Sequence, residues 1–286
     1  MGINIRTNVP SLNSQRNLGS TTNRLQKAYE RLSSGLRITR ASDDAAGLSI
    51  AEQLRADTRI ASVAVRNAND GISIIAITDG AMGEIGNVLA RLAELAEQSA
   101  NGVFNTTQRS ALALEFDMLH SEIERIANTT EFNGLQLLSG GATISLQVGF
   151  DGSSLSQITY SGVAATLAQL GLAPSGSSRI LYSINAATVA EAQTAARSAL
   201  DAVKAAISSI SRDRGTLGAA ESRLNMTIQN LLVARENFQS AESRIRDVDV
   251  AEEAAELTRL NILQQAAASV LAQANQQPSL ALSLLQ

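Results

Sequence analysis

His120 is the only histidine of this chain, and cysteine is absent. One imidazole without thiols cannot build an HExxH zinc site, a Ser-His-Asp triad or a thiolate metal centre. His120 follows Leu119 in an apolar helical pattern, so it is expected as a partly buried or interface side chain. Asp43-Asp44 and Asp247-Val248-Asp249 have the chemistry to attract a cation. Capping a helix or pairing with arginine needs no missing ligand, and those roles are expected instead. Gly80, Gly83 and Gly86 are spaced by three with no Gly-Lys-Ser/Thr after them. They do not make a phosphate loop and are expected to allow close helix approach or bending. No catalytic, cofactor or metal site is expected.

The elements that carry these residues read as helices. Hydrophobic residues make up 44% of the chain but aromatics only 3%, with no Trp, so the core must be Ala, Leu, Ile and Val. Pro10, Pro174 and Pro278 are the only prolines, which leaves long stretches without breakers. The formal net charge of −4 gives no footprint for nucleic acid. Lys27 and Lys204 are the only lysines; the other cations are Arg, which suits bidentate pairing at interfaces. The N-terminal stretch lacks the apolar run of a Sec-type signal peptide. No apolar run is expected to span a membrane.

Val203, Ile210, Leu217, Leu224, Leu231, Phe238 and Ile245 recur every seven residues. Leu200, Ile207 and Ile228 lie on the adjacent seam, which Arg214, Glu221, Arg235 and Glu242 interrupt. This pattern fits a coiled-coil-like helix or a long bundle helix. Thr188 and Glu191 form a capping box, so the helix is expected from Val189 to Ile245, roughly 85 Å. Leu18, Leu25 and Leu32 repeat the spacing after a start at Pro10-Ser11. A second helix is expected from Ser42-Asp43-Asp44 to Asn101-Gly102, and Gly71, Gly80, Gly83 and Gly86 leave its middle open to either a straight or a kinked course. A third is expected from Thr107 to about Asn128, with Leu112, Phe116, Leu119, Ile123 and Ile126 on one face. Ile144, Leu146, Val148 and Phe150 alternate, Asp151-Gly152 follows, and Ile158 and Tyr160 alternate again, as in a β-hairpin. Residues 161–187, rich in Gly, Ser and Ala, read as a short surface loop region. The fold class is mainly α, with long antiparallel coiled-coil-like helices from both termini and a β-hairpin near 143–160.

Leu32–Ala51 reads LSSGLRITRASDDAAGLSIA and Leu271–Gln286 reads LAQANQQPSLALSLLQ. Between them stand Asn67-Ala68-Asn69-Asp70-Gly71-Ile72-Ser73, Phe132-Asn133-Gly134, Leu217-Gly218-Ala219, Ser243-Arg244-Ile245 and Ile262-Leu263-Gln264-Gln265-Ala266. In this order they resemble bacterial flagellin, over nearly the whole chain except about 140–187. The resemblance implies an exported structural subunit that polymerises into the helical flagellar filament for motility, secreted and not an enzyme. It implies an inner layer from 1–41 and 245–286, an outer helical bundle from 42–244, and no large outer domains. Leu18, Leu25, Leu32, Leu260, Leu263, Val270 and Leu271 are the residues expected to pack the polymer core. Free termini are expected to order only on assembly.

The resemblance also implies partners besides the chain itself. The export signal falls before Asp43, the export chaperone embraces Leu257–Gln286, and filament-cap and hook-junction proteins meet the polymer ends. The vertebrate innate receptor for flagellin reads a patch that maps to Arg91, Leu95 and Glu115. Ala90 and Ala93 depart from the strongly stimulating pattern, and Gln286 stands where many members end in Arg. No nucleic acid and no membrane insertion are expected. Ser153, Ser154, Ser156, Ser161, Ser175, Ser177 and Ser178 read equally as loop formers and as acceptors for the O-linked sugars such a region often carries. A hook–filament junction protein and a flagellin-like adhesin are the alternatives.

Overall fold

The computed structural model of the chain describes residues 7–140, 143–160, 162–174 and 180–283, with side chains as far as Gln277. Its elements in order are α1 (Val9–Ser34), α2 (Ala45–Ala100), α3 (Thr106–Thr129), β1 (Glu131–Phe132), β2 (Leu135–Gln136), β3 (Ile144–Gln147), β4 (Gln157–Tyr160), α4 (Val189–Arg246) and α5 (Val250–Ser283). The chain divides into two compact units, Met1–Thr58 with Glu236–Gln286, and Arg59–Arg235, with the boundaries inside α2 and α4.

The core of the second unit is laid out by the seven-residue stripe of α4. Val203, Ile210, Leu217, Leu224 and Leu231 are buried, and Ala192, Ala196, Ala199 and Ala206 extend the seam. Thr188 and Glu191 exchange the two hydrogen bonds of the expected capping box, each 3.3 Å. Arg214, which breaks the second seam, reaches Asp79 of α2 through Nε at 2.7 Å and Nη2 at 3.1 Å. The Arg214 hydrogen bond holds the Asp79 carboxyl below its usual range. With Gly71 beside Leu224 and Asp79 beside Arg214, α2 runs antiparallel to α4.

α2 runs as one continuous helix through all four glycines. A side chain at Gly80, Gly83 or Gly86 would meet nothing within 4 Å, so these glycines serve no close approach. The close approach is at Gly71, where a Cβ would fall 2.2 Å from Leu146 Cδ1 of β3 and 3.3 Å from Leu224 Cδ1 of α4. The membrane-span expectation also needs correction. α2 contains a stretch of 18 residues, mean hydropathy 1.3, that is long and apolar enough to cross a membrane by length and composition. Its apolarity has a local cause: Ile74, Ile75, Met82, Ile85, Leu89, Leu92 and Leu95 are buried in the unit's core.

α3 begins at a capping box, with Gln108 N donating to Asn105 Oδ1 at 2.9 Å, and buries Phe116 and Ile123. Arg109 beside this cap is fully buried, which the sequence reading missed. Its guanidinium donates to the carbonyls of Ser99, Asn101 and Phe104, the last two at 2.7 and 3.1 Å. A cation thereby covers orphan carbonyls at the negative end of α2. Asn133 (φ 51°) and Gly134 (φ 76°) turn β1 into β2 with both residues left-handed, as a two-residue hairpin requires.

β3 and β4 form the expected hairpin, Ile144 opposite Tyr160 and Gln147 opposite Gln157. Residues 148–156 connect them in place of a tight Asp151-Gly152 turn. The described part of 161–187 has neither helix nor strand, yet it is not a surface loop. Val163, Ala165, Leu167, Leu170, Leu172 and Ile184 are buried, and Leu167 N donates to Glu124 Oε2 of α3 at 3.1 Å. An irregular segment can bury apolar side chains without a repeating pattern, so no period announced it.

The two classes of glycine should respond oppositely to substitution. Gly83→Ala is expected to stabilise the second unit by up to about 1 kcal/mol through helix propensity. Gly71→Val is expected to cost about 1–3 kcal/mol through overpacking. Urea unfolding of the two variants checks the signs.

Candidate assembly surface

The first unit is built from the chain's two ends. Asn8 caps α1 by accepting from Ser11 N at 3.0 Å, and Pro10 sits in its first turn. Gly35, at φ 72°, closes α1 in the left-handed conformation, its N–H donating to Arg31 O. Asp249 caps α5, accepting from Ala251 N at 2.9 Å and Glu252 N at 3.3 Å. Asp44 caps α2 through Gly47 N at 2.8 Å. Among the described residues no cluster of side chains could hold a metal ion.

α1 and α5 pack antiparallel. Asn8 Nδ2 donates to Ala274 O at 2.8 Å, Ser11 Oγ meets Asn275 Oδ1 at 2.6 Å, Gln264 Nε2 meets Thr22 Oγ1 at 3.3 Å, and Arg31 lies 3.9 Å from Glu253. Leu25, Ala28 and Leu260 form the buried cluster between them, with Leu257 packed against it. Leu18, Leu32 and Leu271 are half-buried. The α5 residues expected to pack the polymer core, Leu260, Leu263, Val270 and Leu271, differ in burial. Leu263 and Val270 are exposed, by 43% and 55%, together with Ile262. The helical period sends them away from the stripe facing α1. The pair thus carries one apolar seam inside and an uncovered apolar strip outside.

Residues 5–143 match the family model of the bacterial flagellin N-terminal helical region, and residues 200–285 that of the bacterial flagellin C-terminal helical region. The flagellin of Halalkalibacterium halodurans is 45% identical over 98% of this chain and 99% of its own. The flagellin of Bacillus subtilis is 40% identical, and the flagellar filament 33 kDa core protein of Treponema phagedenis 38%, each over the same shares. This chain belongs to the bacterial flagellin family. It is a structural subunit, not an enzyme, that self-assembles in the extracellular flagellar filament; the junction-protein and adhesin alternatives are not favoured.

In this flagellin the three residues mapped to the innate-receptor patch do not share a surface. Arg91 of α2 donates to Glu115 Oε1 of α3 through Nε at 2.9 Å and Nη2 at 2.8 Å, and to Glu94 at 2.8 Å. Leu95 is completely buried beneath them. Of the serines, Ser153 and Ser156 turn their hydroxyls to Asp151, and Ser156 first, then Ser153, hold its carboxyl below the usual range. Ser154 is exposed. Ser161, Ser175, Ser177 and Ser178 lie outside the described residues. His120 is half-buried, with Nδ1 3.3 Å from Phe116 O.

The α1–α2 connection is knotted by Asp43, which accepts from Lys27 Nζ at 3.0 Å and Thr39 Oγ1 at 3.1 Å. Lys27 above all lowers its pKa to about 2 from 3.8. Because the folded value is depressed, the stabilisation is full above the unfolded value and is lost as pH falls through about 2. A carbon-detected NMR titration of the assembled protein should give this low midpoint, and Lys27→Met should move it back toward 3.8.

Proposed function

We propose that α1 and α5 form the inner layer of the filament and that neighbouring subunits cover the strip carrying Ile262, Leu263 and Val270. In this reading residues 1–41 with 245–286 make the inner layer and 42–244 the outer one. The reading is supported by two breaks tied at one level: Arg37 N donates to Arg246 O at 2.6 Å, and Val248 N to Gly35 O at 3.0 Å. The observation that carries it is the uncovered apolar strip on a helix pair with a very small core of its own. Large exposed apolar patches on soluble proteins mark interaction sites.

We propose further partners for the same chain. The export apparatus reads the segment before Asp43, and a chaperone holds Leu257–Gln286 before assembly. Cap and junction proteins engage the polymer ends. Recognition by a vertebrate innate receptor rests in this chain on Arg91 and Glu115, with Leu95 withdrawn into the core. The exposed Ser154 is the acceptor proposed here for O-linked sugar.

Val270→Asp tests the central reading. Val270 is exposed in the single chain, so the monomer should keep its circular dichroism. Seeded polymerisation should be abolished, because the assembled layer would bury a carboxylate with no partner. Normal filaments from this variant would refute the assignment.

A further inference from the structure

Charge is segregated along the α1–α5 pair. Residues 7–40 hold six basic side chains and one acid, Glu30; residues 236–256 hold seven acids and two arginines; residues 260–286 hold no charge at all. The antiparallel register, with Thr22 beside Gln264 and Arg31 beside Glu253, sets Arg16 and Arg24 along the uncharged part of α5. Arg16 accordingly bonds only Asn13 among the described residues, and Arg24 feels Glu256 without reaching it as an ion pair. A groove of about 740 Å³ follows this level, lined by Arg16, Ser20, Arg24, Lys27, Glu256 and Leu260. At the other level Asp247 and Glu252 are exposed and make no ion pair among the described residues.

A second copy lying alongside in register would repeat this mismatch. A copy shifted along the axis by about fourteen residues, roughly 20 Å, brings its carboxylates to the level of the arginines. We infer that the groove receives the acidic 247–256 stretch of a second copy of this chain, Asp247 beside Arg24 and Glu252 toward Arg16. The charge pattern sets the axial stagger between neighbours, while the apolar strip supplies the covered area. Complementary charge fixes register and speeds encounter more than it adds affinity. The inference rests on the filament reading above.

Two reversed variants test it in seeded elongation of the full chain. Arg16→Glu/Arg24→Glu and Asp247→Arg/Glu252→Arg should each elongate about tenfold more slowly than the parent, since every neighbour contact becomes repulsive. An equimolar mixture should recover most of the parental rate, because each variant then complements the other. Parental rates from either variant alone, or a mixture no faster than its components, would overturn the inference. The neutral Arg16→Gln/Arg24→Gln should slow elongation without added repulsion; a parental rate there counts against the pairing. If the parent elongates while these results fail, only the stagger is wrong. If the parent does not elongate, the filament reading itself falls.

Discussion

Two helices that pack only against each other can each cover one stripe, and everything in the first unit follows from that limit. Between α1 and α5 the buried apolar cluster is Leu25, Ala28 and Leu260. Ordering each residue of those helices costs on the order of 1–2 kcal/mol. A cluster of that size leaves the pair dependent on what covers its outer face. The second unit has no such dependence, because α2, α3, α4, the hairpins and the irregular stretches 163–173 and 180–184 close one continuous core. In the proposed reading, folding strength and assembly capacity reside in different parts of one chain.

The arrangement is held at defined points. Polar bonds at Asn8, Ser11 and Thr22 set the register of the terminal helices. Gly35 reverses the chain out of α1, and the backbone bonds between 35–37 and 246–248 tie both helix breaks together. Arg40 forks onto Glu30 at 3.1 and 3.0 Å, and Asp43 anchors the same connection. Movement at one break is therefore passed to the other. This is what a subunit needs if both its ends must enter the same layer.

Much of the fold was legible because it is periodic. The α4 stripe, the Thr188 and Asp249 caps and the alternation in β3 and β4 all have local signatures that the structure repeats. What escaped has none. Arg109 is buried because carbonyls at the end of α2 converge on it, a tertiary fact with no sequence spacing. Gly71 and Gly83 look alike in sequence, and only the position of Leu146 separates them. The described part of 161–187 buries side chains irregularly. For the assembly surface, heptads identified apolar residues but not their direction, so Leu260 and Val270 were grouped although they face apart. Leu95 was placed on the receptor patch by resemblance, and only the packing of α2 shows that it is buried.

Hydrogen–deuterium exchange, read peptide by peptide on monomer and filament, tests the account most directly. Amides of α1 and α5 should exchange nearly as fast as unfolded chain in the monomer and become strongly protected in the filament. Amides of α3 and of α4 around Leu217 and Leu224 should be protected in both. Equal protection of α1 and α5 in monomer and filament would show that the terminal pair is stable alone, and would contradict the claim that neighbouring subunits complete its core.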